Sequence, residues 1–242
     1  MSAALATARR VLTQLGHDWQ SLAMIVAVPG LLLLLLKYVL QGQPGAFDRI
    51  GLPLVGIFPL ALMLLLASVS MLRERTSGAL ERLMTMPTSK LSVLIGYALA
   101  FGLLGLVQAT VITVVALGPL GLTVDGPVAL VLLMAAANSL LGLTLGLLVA
   151  AVTTTELQAE QTASALLLPQ LALCGLFAPT DTLPRVLEGI SRVLPMTYAY
   201  DGLTRVAADH VDSRTWTALA VIGISSLAAL AAGAATLRRR TE

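Results

Sequence analysis

Six stretches of the chain are almost free of charge: residues 21–40, 51–72, 91–118, 127–152, 162–178 and 215–237. Each approaches or exceeds the roughly 20 apolar residues that a helix needs to cross a hydrocarbon core of about 30 Å. A helix is the form they must take, because lipid offers a backbone amide no partner. The first stretch contains the leucine run 31–36. No A-x-A site follows it and five further stretches do, so it reads as a span and not as a cleaved leader. Lys37, near its end, can reach the interface by snorkelling. The pattern predicts an all-α polytopic membrane protein with six transmembrane helices, forming a single domain over residues 1–242.

Outside the spans the periodicity changes. Leu5, Ala8, Leu12, Leu15 and Trp19 recur at three- and four-residue intervals, with Arg9, Arg10, Gln14 and Asp18 between them. This predicts a helix over 1–20 lying in the membrane interface, with Trp19 at headgroup level. In the polar segment 73–90, Leu72, Thr76, Ala79, Leu80, Leu83 and Met84 form one face of a short helix opposite Arg75, Glu81 and Arg82. Gly78 bends or breaks it, Pro87 stops it, and Thr88 or Ser89 caps the next helix. Charges of both signs suit docking to a soluble partner, and they equally suit a solvated loop. In the segment 179–214, Val186, Leu187, Ile190, Val193 and Leu194 make an apolar stripe beside Arg185, Glu188 and Arg192, bounded by Pro184 and Pro195. Two readings stay open there: an extracellular helix on the outer leaflet, or a re-entrant segment shielded by neighbouring protein.

Composition agrees with the pattern and removes other classes. Hydrophobic residues make up 57% and charged residues 12%, against about 25% charged in a soluble chain. The net charge of +2 offers nucleic acid nothing to bind. Cys174 is the only cysteine, and His17 and His210 are the only histidines, both outside the spans. No cluster with metal-ligand spacing and no G-x-S-x-G elbow follows from these residues. A phosphate-binding loop needs a lysine after its final glycine, and the lysines here follow Leu36 and Ser89. The chain therefore carries no such ATP site and needs no cofactor of its own.

An even number of spans puts both termini on one side. That side holds nine basic residues (Arg9, Arg10, Arg73, Arg75, Arg82, Lys90 and Arg238, Arg239, Arg240) against five on the other (Arg49, Arg185, Arg192, Arg205 and Arg214). The imbalance predicts cytoplasmic termini. Gln108, Thr113, Asn138, Ser139 and Gln170 lie within spans and should face protein or a cavity. Gly142 and Gly146 form a G-x-x-x-G pair that lets helices approach closely. No span has an Asp or Glu near its middle, which argues against ion-coupled transport.

At its two polar segments the chain resembles the ABC type-2 exporter permeases. Glu74-Arg75-Thr76-Ser77-Gly78-Ala79-Leu80-Glu81-Arg82-Leu83, with Pro87 after it, is similar to that family's E-R-x-x-G-x-L-E-x-L coupling pattern. Leu194-Pro195, Tyr198, Asp201, Gly202 and Arg205 are similar to its late extracellular signature. The resemblance implies that Glu74, Arg75, Gly78, Leu80, Glu81, Arg82, Leu83 and Pro87 couple to a separate cytosolic ABC ATPase, present in two copies and holding the ATP and Mg. It also implies a second permease chain, as homodimer or heterodimer, in a bacterial inner membrane. Pro184, Pro195, Tyr198, Asp201 and Arg205 become an extracellular gate. Few aromatic residues and uncharged spans point to a drug, antibiotic or lipid as cargo, with Gln108, Asn138 and Gln170 along its path. A secondary transporter, or a membrane-embedded enzyme, is the alternative. A buried ionisable site would favour the former and a catalytic cluster the latter.

Overall fold

The computed structural model describes residues 3–17, 19–43, 45–76 and 90–239, and all regular structure among them is helical. In chain order the helices are α1 (Ala3–His17), α2 (Trp19–Val39), α3 (Ala46–Thr76), α4 (Lys90–Leu117), α5 (Val128–Val152), α6 (Glu156–Leu173), α7 (Arg185–Ser191), α8 (Pro195–Ala207) and α9 (Ser213–Arg239). A single 3-10 turn, Thr180–Thr182, precedes α7. Ala46–Thr76, Gly96–Leu117, Val128–Val152 and Ser213–Gly233 are each long and apolar enough to cross a membrane, and α2 adds the shorter apolar stretch Ala27–Val39. The protein is a polytopic all-α membrane protein.

Helices α3 and α5 form its axis, with α4, α8 and α9 packed around α5 and α6 against α3. Small residues set this arrangement. A Cβ added to Gly142 would lie 2.1 Å from the carbonyl oxygen of Leu60, and one added to Gly146 would lie 2.6 Å from that of Leu64. The G-x-x-x-G pair is thus the seam along which α5 rides directly on the backbone of α3. On another side of α5, Ser139 fills the notch at Gly105 of α4, where a Cβ would meet its Oγ at 2.0 Å. Leu52, Leu60, Met134, Leu141 and Leu203 are buried in the larger core cluster, and Met63, Met71, Tyr97, Phe101 and Leu143 in a second one.

Helix α3 runs over 31 residues, longer at both ends than the apolar stretch 51–72. Its ends carry charges that suit the helix dipole: Asp48 in the first turn, Arg73 and Arg75 in the last. Asp48 also accepts a hydrogen bond from the Thr123 amide at 2.9 Å, pinning the α4–α5 connection to the head of α3.

One expected boundary is corrected. The fifth apolar stretch, 162–178, becomes a helix that starts at Glu156 and ends at Leu173. The start is set by capping rather than hydropathy. Thr155 Oγ1 accepts from the Gln158 amide at 3.2 Å, and Gln158 Oε1 accepts from the Thr154 amide at 2.9 Å, a reciprocal cap. The end comes just before Gly175, whose φ of +107° a side chain would resist. In α1, Ala8 and Leu12 of the predicted stripe pack with Val11 in the cluster of Tyr97, Ala100 and Phe101, whereas Leu5 is exposed. The helix leans on α4 through that face.

Candidate functional site

The end of the bundle where α3 finishes is a junction of charged side chains. Arg10 on α1 donates through Nη2 to Glu74 Oε2 at 3.0 Å and to the Tyr97 hydroxyl at 2.8 Å. Three helices, α1, α3 and α4, are joined at that one nitrogen. The Glu74 side chain is 17% exposed, so the pair is shielded more than a surface salt bridge. Tyr97 itself is held by burial and by a stacked ring contact with Phe101, centroids 6.4 Å apart. One residue further, Arg75 donates to the carbonyl oxygen of Ala150, near the C-terminus of α5, where a cation also complements the dipole. One residue earlier, Arg73 pairs with Glu156 in the first turn of α6 at 2.8 Å. The hydrogen bond from Arg73 holds the Glu156 carboxyl below its ordinary range. Arg73, Glu74 and Arg75 thus tie the last turns of α3 to α6, α1 and α5, and through Arg10 to α4.

Of the eight expected coupling residues, Glu74 and Arg75 belong to this junction. Gly78, Leu80, Glu81, Arg82, Leu83 and Pro87 lie outside the described residues.

At the opposite end, α8 turns inward beside α3, α5, α6 and α9. Its buried face is Met196, Ala199, Gly202, Leu203 and Val206. Pro195 opens it at the first helical position, where a missing N–H costs nothing. The other face borders a cleft of about 380 Å³ lined by Arg49, Asp181, Arg192, Tyr198, Tyr200 and Asp201, among others. Tyr198 donates its hydroxyl to the Arg192 carbonyl at 2.8 Å, closing the α7–α8 corner. Arg205 bridges Asp201 at 2.8 Å and Asp212 at 3.1 Å. Asp212 Oδ1 also accepts from the amides of Arg214 and Thr215, so it caps α9 while it pairs with Arg205. Partial burial works against its charge, but those amides and Arg205 outweigh it and its carboxyl sits below the ordinary value. Burial pushes the Tyr200 hydroxyl up, and its ring lines the cleft. Of the five expected gate residues, Tyr198 and Asp201 meet in the cleft. Arg205 stands at an adjoining surface recess, and Pro184 and Pro195 bracket α7.

Between the ends, Gln108, Asn138 and Gln170 are buried. They lie on α4, α5 and α6 in turn. Gln170 donates back to the Leu166 carbonyl at 3.1 Å, on its own helix. Asn138 is 0% exposed, and neither its Oδ1 nor its Nδ2 has a protein partner. Leaving a buried polar group so costs about 1–3 kcal/mol. Among the described residues no group of three or more His, Cys, Asp or Glu is placed to hold a metal ion.

Reading the sequence missed Arg10 and Tyr97 as site residues, along with Arg49, Tyr200 and Asp212. Asp212 had a legible signal, an acidic residue just before a helix start. Arg10, Tyr97 and Arg49 had none, since their partners are distant in the chain.

Helices with a charged junction at the exit of α3 and a short inward helix at the other end are the setting for a comparison with known proteins. The model of the ABC-2 type transporter family matches residues 3–207. The chain belongs to that family. It is 28% identical over 186 residues to ABC transporter G family member 20 of Dictyostelium discoideum, covering 75% of this chain and 26% of that protein. Over 161 residues it is 28% identical to Linearmycin resistance permease protein LnrN of Bacillus subtilis (strain 168), covering 65% and 40%. Over 174 residues it is 23% identical to Probable multidrug ABC transporter permease YbhR of Escherichia coli (strain K12), covering 70% and 47%. The matched regions span from about a quarter to about half of those relatives.

Proposed function

We propose that the chain is the membrane-spanning permease subunit of an ATP-driven exporter. ATP and Mg bind a separate ABC ATPase in two copies, and a second permease chain completes the complex. The observation that carries this reading is the position of the coupling pattern. It begins at Glu74 and Arg75, which with Arg73 tie the end of α3 to α6, α1, α5 and α4. A push on that segment reaches four helices through short charged contacts, as a transmission point requires.

In this reading the junction faces the cytoplasm and the cleft of Arg49, Tyr198 and Asp201 faces outward, in keeping with nine basic residues against five. Six helices span a bacterial inner membrane, α2 and α6 completing the four longer ones. Apolar spans make a charged cargo costly to move and an amphipathic one cheap. The names of two relatives, one for linearmycin resistance and one for multidrug transport, support a drug-like or lipid-like cargo.

The test is reconstitution in proteoliposomes with the ABC ATPase that copurifies with the chain. ATP-dependent movement of Hoechst 33342, absent when the ATPase phosphate loop is disabled, is the expected result. Movement that follows a proton or sodium gradient and ignores ATP would instead indicate a secondary transporter.

A further inference from the structure

The cleft beside α8 draws its walls from three parts of the chain: the first turn of α3, the turn that follows α6, and the α7–α8 corner. Its charges balance, Arg49 and Arg192 against Asp181 and Asp201, but they do not all pair. Arg192 is taken by Glu188, and Asp201 by Arg205. Arg49 and Asp181 are left over. Among the described residues neither side chain has an ion pair or a hydrogen bond, and although both line the cleft they do not meet each other.

Two hydroxyls of α8 are unused as well. Thr197 Oγ1 is buried without a partner, and the Tyr200 hydroxyl makes no hydrogen bond among the described residues. A Cβ on Gly175 would lie 2.9 Å from Tyr200 Cε1, so the ring rests on bare backbone in the cleft wall. The Arg49 charge acts on that hydroxyl. Arg49, Thr197 and Tyr200 thus offer N–H and O–H donors that lack an acceptor, the set that holds a phosphate. Asp181 offers the reverse, an acceptor for a cation. The rim is apolar: Phe177 lies between the lining residues Gly175 and Pro179, Val193 follows Arg192, and both stand exposed. Such side chains suit the acyl region just below the headgroups.

We propose that this cleft binds the headgroup of a zwitterionic phospholipid, with its phosphate on Arg49, Thr197 and Tyr200 and its cationic end on Asp181. The acyl chains leave past Phe177 and Val193. A lipid held there ties the turn after α6 and the α7–α8 corner to the start of α3. An anionic lipid fills only the half of the site that Arg49 provides. The site requires only that the chain sit in a bilayer, so it goes beyond the export reading and does not depend on it.

The test titrates the purified full chain in detergent with dioleoylphosphatidylethanolamine or dioleoylphosphatidylglycerol and reads bound lipid by native mass spectrometry. Arg49→Gln should weaken both lipids about fivefold, and Asp181→Asn should weaken the ethanolamine lipid alone by a similar factor. Both side chains are exposed, so neither change removes a packed contact. Thr197→Val, which keeps the shape and removes the hydroxyl, should weaken both lipids without lowering Tm. Unchanged ethanolamine-lipid binding in Arg49→Gln, or an equal loss of both lipids in Asp181→Asn, would overturn the site. Soluble O-phosphoethanolamine should compete only at concentrations far above those of the lipid. Competition at equal concentrations would assign the cleft to a soluble solute and overturn the lipid. None of these readouts uses ATP. The expected lipid pattern without ATP-driven Hoechst 33342 movement would remove the export function alone, and ATP-driven movement with unchanged lipid binding in Arg49→Gln would remove the lipid site alone.

Discussion

Arg10 and Glu74 lie 64 positions apart in the chain, and their side chains meet at 3.0 Å. The contact joins the first helix to the last turn of α3, and the same Arg10 nitrogen holds the Tyr97 hydroxyl. A charged pair shielded on one side transmits displacement better than an apolar contact, because separating it leaves both charges poorly solvated.

Arg10→Leu and Glu74→Gln should each lower Tm by a few degrees and reduce ATP-driven export more than ATP hydrolysis. The double variant should be less damaging than the sum of the two, with a coupling of about 1 kcal/mol or more in a double-mutant cycle. Additive effects measured by thermal unfolding would mean that the contact carries nothing.

The glycines separate into two kinds. Gly142→Ala would push a methyl group onto the Leu60 carbonyl, so α5 must move off α3. A loss of about 1–3 kcal/mol is expected from such overpacking. Gly102→Ala and Gly223→Ala meet nothing within 4 Å. Those two should be neutral or stabilising by up to about 1 kcal/mol, since alanine is the better helix former. Unfolding of the three variants in one detergent decides this directly.

The Arg205–Asp212 corner predicts an acid sensitivity. Asp212 has a carboxyl lowered in the folded protein from its ordinary 3.8. Its contribution is therefore complete above that ordinary value and is lost as pH falls through the lowered one. Asp212→Asn keeps the cap on α9 but gives up the charge. The variant should unfold more readily at neutral pH and show a smaller further loss on acidification, as read from Tm against pH. Parallel profiles for both proteins would assign the acid loss to other carboxylates.

Sidedness is tested with single cysteines in a Cys174→Ser background. Thr76→Cys stands at the end of α3 and Ser213→Cys at the start of α9, both exposed. A membrane-impermeant maleimide added to intact cells should label position 213 and spare 76. The opposite labelling would invert the proposed orientation and move the coupling pattern outside.

The long spans were legible because lipid imposes a simple rule on backbone amides, and α3, α4, α5 and α9 begin and end within a few residues of the apolar stretches. The G-x-x-x-G seam was legible as a possibility and became a fact only when Leu60 and Leu64 were found beneath it. Helix α6 was misplaced because hydropathy ignores caps, and Thr155 with Gln158 starts a helix well before its apolar part. The junction was half legible. Glu74 and Arg75 stood out as motif residues, but nothing local marks Arg10 or Tyr97 as their neighbours. The residues of the late signature stood out singly; that Tyr198 bonds the carbonyl of Arg192, just after α7, depends on a corner whose geometry no periodicity encodes.

Helix α7 leaves its apolar residues as uncovered as its charged ones. Its serine, Ser191, is buried, while Val186 is 74% exposed and Val193, just beyond its end, 80%. Phe177, shortly before it, stands out as well. In water such a surface would drive clumping, so its natural surroundings are hydrocarbon or another protein. An antibody or protease approaching from that side would find only Arg185 and Arg192 to grip. The polar turn at Asp209, His210 and Asp212 is what remains on offer, and an affinity tag or epitope inserted there would be seen where one inserted at Val186 would vanish from view.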